Sequence, residues 1–123
     1  MEAHYAFGVT IRLVPTDETV TIESPTVERR CLLAAPQPGT DGWLLFRNAL
    51  WRGEVGDEAF ACELFAEKLG YEVEAVDFRA FHADEAYLEA FRAEIARDLE
   101  AFRADSVTEV LSKYLGSSIV LEE

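Results

Sequence analysis

Residues 3–15, AHYAFGVTIRLVP, alternate between two faces, and this alternation constrains the fold more than any other feature of the chain. Five large apolar side chains share one face, namely Tyr5, Phe7, Val9, Ile11 and Leu13. The residues between them are mostly small or polar. A period of two predicts a strand that is buried on one side only. Such a strand requires a sheet with one covered face.

The segments that follow predict further strands. Residues 26–34 alternate again, and residues 35–42, APQPGTDG, form a turn-rich connection. Residues 43–50 are predicted to form a third main strand, and residues 19–22 a short additional one. Together these segments indicate an N-terminal antiparallel β-meander.

Three helices are predicted in the remainder of the chain. The first covers residues 58–69, capped by Asp57 and ended by Gly70. The second runs from about residue 84 to residue 102 on a stripe of apolar side chains at helical spacing. The third covers residues 107–115, and Ser106 with Glu109 forms a capping box at its start.

Two more strands complete the predicted sheet. Residues 71–81 alternate, but the alternation slips near Ala75 and Val76, which indicates a bulge. Residues 117–121 can add a last strand. The order of elements predicts one α+β domain over residues 1–123. It has an antiparallel sheet of about four to five strands, with about three helices packed on one face.

Charge is the strongest global signal in the composition. The chain has 24 Asp and Glu against 11 Lys and Arg, a net charge of −13, and only Lys68 and Lys113 are lysines. Such an excess of like charge destabilises a compact state in dilute buffer. At molar salt the screening length falls to about 3 Å, and the repulsion largely disappears. The composition therefore favours a protein adapted to high salt; an acidic protein with a basic partner is the alternative.

The same composition argues against several classes of protein. Nucleic-acid binding is not expected, because it requires a basic face. No membrane partner is expected, since no run of 18 or more apolar residues occurs. The first residues do not resemble a signal peptide. Cys31 and Cys62 do not form a disulfide framework, which favours a reducing cytoplasm.

Sequence signatures of catalysis or of metal binding are missing. There is no glycine-rich phosphate loop, nucleophile elbow or zinc-protease motif. The candidate ligands His4, His82, Cys31 and Cys62 are widely separated single residues in different elements. No metal, cofactor or catalytic residue is therefore expected.

Residues 48–60, NALWRGEVGDEAF, are the best candidate for a functional site. Six residues crowd one corner of the predicted fold: Arg47, Asn48, Trp51, Arg52, Glu54 and Asp57. The structural interpretation is a strand-to-helix corner in which Glu54 and Asp57 bind Arg52, with backbone freedom from Gly53 and Gly56. The functional interpretation is a pocket for a small anion or a patch for a partner.

Three segments carry a family resemblance over nearly the whole chain: PGTDGWLLFRNA, LWRGEVGDEA and DSVTEVLSKYLGSSI. The chain resembles the uncharacterised haloarchaeal "LWR-salt" proteins, named for the tripeptide seen here at Leu50, Trp51 and Arg52. The resemblance implies a halophilic archaeal origin and a single small domain. It implies no activity.

The sequence thus favours a small cytoplasmic, non-enzymatic interaction or ligand-binding domain adapted to high salt. The expected partner is another protein or a second copy of the chain in a homodimer, because a meander leaves edge strands open. The alternative is a small enzyme or anion sensor with its pocket near residues 47–57. In that case Arg47 and Arg52 would bind the anion, and Glu54 or Asp57 would act as acid or base.

Overall fold

A computed structural model describes residues 1–122, which form six strands, four α-helices and one short 3-10 helix. The strands are β1 (Ala3–Arg12), β2 (Thr26–Ala34), β3 (Leu50–Trp51), β4 (Glu54–Val55), β5 (Glu72–Asp84) and β6 (Ile119–Glu122). The α-helices are α1 (Leu45–Ala49), α2 (Glu58–Leu69), α3 (Glu85–Ala96) and α4 (Val107–Leu115), and the 3-10 helix is Leu99–Phe102. The predicted α+β class is confirmed.

The main sheet has four strands in the order β2-β1-β5-β6. β1 pairs antiparallel with both β2 and β5, whereas β6 pairs parallel with β5. The prediction of a wholly antiparallel sheet is therefore wrong at this edge. α3, the 3-10 helix and α4 lie between β5 and β6 in the chain, and such a helical crossover is what a parallel pair requires.

The third predicted main strand is also wrong. Within residues 43–50, the five residues of α1 are helical, and only the last residue, Leu50, enters a strand. The buried residues Phe46, Ala49 and Leu50 have the i, i+3, i+4 spacing of a helix face. A short apolar run can fit both this helical spacing and the alternation of a strand. In the structure the run is helical, and the helix places Phe46 in the core.

The predictions of a long helix, of a short strand and of a bulge have different outcomes. The helix expected to reach residue 102 is interrupted after α3, where Asp98 accepts a hydrogen bond from the N–H of Ala101 and begins the 3-10 helix. No strand covers residues 19–22 in the described chain. There, Asp17 accepts from the N–H of Thr19 at 2.7 Å and turns the backbone. The bulge predicted near Ala75 and Val76 is present, since the adjacent Glu74 of β5 has no partner residue in β1. Arg79 also has none.

The core lies between the helices and one face of the sheet. It is largely aromatic, and Phe46 of α1 is at its centre with no exposed surface. The Phe46 ring contacts those of Trp43, Phe91, Phe102 and Tyr114, with centroids 4.9 to 6.0 Å apart. The short helix α1 is thereby connected to α3, to the 3-10 helix and to α4. Within the described residues, no helix is long and apolar enough to span a membrane.

Candidate functional site

The Leu-Trp-Arg tripeptide forms one arm and the tip of a two-residue β-hairpin. β3 and β4 pair as Leu50 with Val55 and Trp51 with Glu54, which leaves Arg52 and Gly53 at the tip. Both tip residues have positive φ, 52° and 81°. This is the type I′ turn that fits the twist of a hairpin, and its usual residues are Asn, Asp and Gly. An arginine at its first position is therefore unusual.

Backbone hydrogen bonds fix the hairpin tip to the end of α4. The N–H of Arg52 donates to the carbonyl of Lys113 at 2.8 Å, and that of Gly53 donates to Tyr114 at 3.0 Å. The last carbonyls of a helix have no partner within the helix, so the hairpin caps α4. The packing is tight, because a Cβ on Gly53 would lie 3.0 Å from the carbonyl oxygen of Leu115. A Cβ on Gly116 would lie 3.0 Å from the carbonyl oxygen of Arg52.

The predicted carboxylate clamp on Arg52 is not present. Within residues 1–122, the Arg52 guanidinium forms no ion pair with Glu54, Asp57 or any other carboxylate. The backbone of Arg52 holds the corner instead, and its side chain is exposed. Gly56 also differs from expectation, since its φ is not positive. It allows close packing, because a Cβ there would lie 3.4 Å from the Cβ of Trp51.

An open groove of about 920 Å³ runs between the hairpin tip and α4, and we call it the α4 groove. Its lining residues are Trp51, Arg52, Ser106, Thr108, Glu109, Ser112, Lys113, Gly116 and Ser117. The hairpin contributes an aromatic ring and a guanidinium. Helix α4 and the segment after it contribute an ammonium group and several hydroxyls. Trp51 is 46% exposed, so a ligand in the groove can reach its ring.

The two cations of the α4 groove, Arg52 and Lys113, both lie near the Trp51 ring. The guanidinium carbon of Arg52 lies 5.7 Å from the Trp51 ring centroid, and Nζ of Lys113 lies 5.9 Å from it. Lys113 Nζ donates to the carbonyl of Phe102 at 3.0 Å. An ammonium group has three donors, so two remain for other acceptors.

The one carboxylate in the lining, Glu109, is engaged in the helix cap. It accepts from the N–H of Asp105 at 2.7 Å, while Ser106 accepts from the N–H of Glu109 at 3.1 Å. This confirms the predicted capping box, with the Glu109 carboxylate one residue further out than in the standard arrangement. The groove therefore presents two cations and several hydroxyls beside one exposed carboxylate, which accepts one hydrogen bond from the cap.

The other predicted site residues lie outside this groove. The guanidinium of Arg47 lies 6.0 Å from the Phe102 ring, and Asn48 lines a different surface groove with residues 39–45. Asp57 caps α2 as predicted, accepting from the N–H of Phe60 at 3.1 Å. Glu54 is the exposed hairpin partner of Trp51. The structure thus brings together Trp51 and Arg52 of the six predicted residues.

Sequence reasoning did not include the contribution of α4 to this site. Ser112, Lys113 and Ser117 follow the hairpin by some 60 residues, and no local motif joins the two segments. The available signal was the rarity of lysine, since Lys113 is one of only two. Gly116 and Ser117 reach the site because the hairpin packs against the end of α4.

The two cysteines do not provide a nucleophile at this site. Cys31 and Cys62 are both free and half-buried. Burial raises the pKa of the Cys62 thiol, and the nearby Glu58 carboxylate raises it further. A raised pKa keeps sulfur in the thiol form, which is a poor nucleophile.

The chain has one detected similarity to known proteins. The sequence model of one family, described as LWR-salt protein, matches residues 1–123. Neither the curated proteins nor the solved structures contain a match to the chain.

Proposed function

We propose that this chain, which belongs to the LWR-salt protein family, is a small non-enzymatic ligand-binding domain. Its ligand is a small anion, bound in the α4 groove by Arg52 and Lys113 beside Trp51. The sequence predicted an anion site near residues 47–57. The proposed site retains Arg52 and Trp51 from that segment and adds Lys113 from α4.

The backbone conformation of Arg52 carries the proposal. A left-handed conformation costs a non-glycine residue about 1–3 kcal/mol, and such costs concentrate at functional positions. Asparagine or glycine would serve the type I′ turn better. The Arg52 side chain makes no ion pair within residues 1–122 that would offset the cost. A role for its guanidinium in binding explains why arginine occupies this position.

The composition of the α4 groove favours an anion over a cation. Two positively charged groups lie within 6 Å of one exposed ring in a protein of net charge −13. The side chains of Ser112 and Ser117 can add hydroxyl donors. Guanidinium, ammonium and hydroxyl groups together are suited to phosphate or carboxylate oxygens.

A catalytic function is less well supported. The acid or base expected at Glu54 or Asp57 does not line the α4 groove. The Asp57 carboxylate is used as a helix cap, and so is that of Glu109. Binding without chemistry therefore fits the arrangement better than acid–base catalysis.

We place this domain in a salt-rich cytoplasm, such as that of a halophilic archaeon. The support is the net charge of −13 and the shortage of lysine. A ligand must then bind in competition with abundant chloride. Bidentate contacts from a guanidinium to a polyatomic anion provide the selectivity that a point charge lacks.

Titration with inorganic phosphate and with pyrophosphate tests the proposal. Amide chemical shifts of the chain are followed by NMR at constant KCl. We expect saturable shifts at the hairpin tip and at residues 112–117, and a loss of affinity of roughly 10-fold or more in Arg52→Asn, because a hydrogen bond to a charged group contributes about 1.5–3 kcal/mol. Arg103→Asn is the matched control. It removes the same charge from another arginine with positive φ, outside the groove, and should leave affinity unchanged.

The proposal fails if neither anion causes saturable shifts, or if Arg103→Asn weakens binding as much as Arg52→Asn does. Equal losses would mean that the anions respond to overall charge.

Self-association is a second proposal, and the open edge of the sheet favours it. β2 lies at that edge, and among the described strands it pairs with β1 alone. It is nine residues long, and Leu32 on it is 60% exposed. An unpaired strand of this length is a template for pairing with a second copy. Sedimentation in molar KCl should then give a dimer, and a monomer at all protein concentrations would contradict this second proposal.

A further inference from the structure

The two histidines of the chain, distant in sequence, are direct neighbours in the sheet. His4 of β1 lies opposite His82 of β5. Their rings stack, with centroids 4.8 Å apart and an interplanar angle of 19°. The two histidines belong to different elements, as expected, and the pairing of β1 with β5 brings them together.

The parallel strand β6 brings a carboxylate to the same place. Val120 of β6 pairs with His82, and Glu122 lies two residues further along on the same face. One ligand atom from each of His4, His82 and Glu122 lies within 4.8 Å of the others. Three separate strands thus converge at one end of the sheet.

The contact between His82 and Glu122 is close but is not a good hydrogen bond. Nδ1 of His82 lies 2.6 Å from Oε1 of Glu122, yet Nδ1 is buried and has no aligned hydrogen-bond partner within the described residues. A short distance alone does not make a hydrogen bond, because the donor must also be aligned with the acceptor. An imidazole nitrogen and a carboxylate oxygen that lie close together without a hydrogen bond between them suit a bound cation.

We propose that His4, His82 and Glu122 bind one divalent transition-metal ion of the zinc class. Two imidazoles and one carboxylate are a known ligand set for such ions, with water in the fourth position. Magnesium and calcium are disfavoured, since they require mostly oxygen ligands. Tetrahedral ligands around zinc are roughly 3.3 Å apart, so Glu122 must retreat slightly. Its side chain is half exposed and can do so.

Arg30 of β2 competes with the metal ion. Its Nη2 lies 3.0 Å from Nε2 of His82. Arginine can only donate, so Nε2 accepts and the ring proton of neutral His82 lies on Nδ1. A metal ion at Nε2 would occupy the position of the guanidinium. A metal ion at Nδ1 would move the proton to Nε2, which could no longer accept. In both cases Arg30 must withdraw, and its exposed side chain allows this.

The metal ion would attach β6 to the rest of the sheet. Within residues 1–122, β6 has a single neighbouring strand, and its residues 120–122 are exposed. A ligand that binds only the folded state stabilises that state, and the stabilisation grows with the logarithm of the free ligand concentration above the Kd. Metal binding should therefore slow hydrogen exchange of the β6 amides.

Titration of the untagged protein in molar KCl tests the site. High salt suppresses general attraction of divalent ions to the acidic surface. We expect one equivalent of Zn²⁺ to bind by calorimetry, and one equivalent of Co²⁺ to give the visible absorption bands of a tetrahedral complex. Mg²⁺ should give no saturable heat. His4→Ala and Glu122→Gln should each weaken Zn²⁺ binding by at least the roughly 10–100-fold that loss of an outer-shell partner causes.

Matched variants separate the site from surface charge and from folding. Glu18→Gln removes one carboxylate from the loop at the other end of β1 and should bind Zn²⁺ like the unmodified chain. Arg30→Met should tighten binding several-fold, whereas Arg29→Met, which removes a neighbouring charge without a contact to His82, should not. Glu122 is exposed, so its variant should fold even if His4→Ala does not. Unchanged Zn²⁺ affinity in Glu122→Gln, or no binding of Zn²⁺ at all, would overturn the proposal.

Discussion

The backbone N–H of Arg52 donates to the carbonyl oxygen of Lys113 across 2.8 Å, which joins the Leu-Trp-Arg hairpin to the end of α4. These two residues also supply the cations that lie over the Trp51 ring. Together with the hydrogen bond from Gly53 to Tyr114, this contact fixes the hairpin and brings the two charged side chains to the same groove. The corner is held by its backbone, and the charged side chains are left available.

Gly53 should tolerate a side chain less well than Gly70. Both have positive φ, 81° and 77°, so alanine is strained at either position. A Cβ at Gly53 would also lie 3.0 Å from the Leu115 carbonyl oxygen, whereas nothing lies within 4 Å of a Cβ at Gly70. Gly70→Ala should lose about 1 kcal/mol of unfolding free energy. Gly53→Ala should lose clearly more. Denaturant unfolding measures both, and equal losses would mean that the hairpin is not tightly packed on α4.

Phe46→Ala should be among the most destabilising single changes. The side chain has no exposed surface and connects α1 to the aromatic core. Removing a buried phenylalanine costs about 3–5 kcal/mol. Phe60→Ala is the control, because that ring is 38% exposed and should cost much less. A small effect at Phe46 would show that residues 43–50 do not pack as a helix in the core.

Asp84 should contribute stability that is lost in acid. Hydrogen bonds from the backbone N–H groups of Tyr87 and Glu2 lower the pKa of its carboxyl. A pKa lower in the folded state than in the unfolded state stabilises the fold above the ordinary value near 4. This stability disappears as the pH falls through the lowered pKa.

Asp84→Asn should therefore flatten the acid side of the stability profile, with the difference from the unmodified chain largest near neutral pH. The variant retains a side chain that can cap α3. Asp41→Asn is the control, because the Asp41 carboxylate accepts no hydrogen bond within the described residues. Profiles from pH 2 to 7 that are parallel for the Asp84 variant and the unmodified chain would contradict the assignment.

Thermal stability should rise markedly from dilute buffer to molar KCl. The net charge is −13, so the excess carboxylates repel one another at low salt. Screening at molar salt removes most of that repulsion. Five ion pairs occur within residues 1–122 apart from the contact of His82 with Glu122, and their side chains are mostly well exposed. Their loss in salt should cost little. A melting temperature that does not change with salt would argue against adaptation to high salt.

The sequence predicted most elements whose signals are local. β1 follows from strict alternation, and the caps at Asp57 and Ser106 follow from residue type and spacing. Residues 43–50 were misassigned because a short apolar run fits both the period of a strand and the period of a helix. The packing of Phe46 against distant aromatic rings favours the helix.

Both candidate sites depend on contacts between distant segments. The α4 groove joins residues 51–52 to residues 106–117, and the histidine pair joins residues 4 and 82. Each requires knowledge of which strands and helices are neighbours. A parallel last strand, which placed Glu122 beside His82, was not apparent from the alternation alone.

The most direct test of the central claim is the unfolding free energy of Arg52→Asn, measured beside its affinity for pyrophosphate. Asparagine suits the first position of a type I′ turn and keeps the N–H that donates to Lys113. If the Arg52 side chain is there for binding, the variant will be as stable as the unmodified chain or more so, and will lose its affinity for the anion. A variant that unfolds more easily while it still binds pyrophosphate would contradict this account.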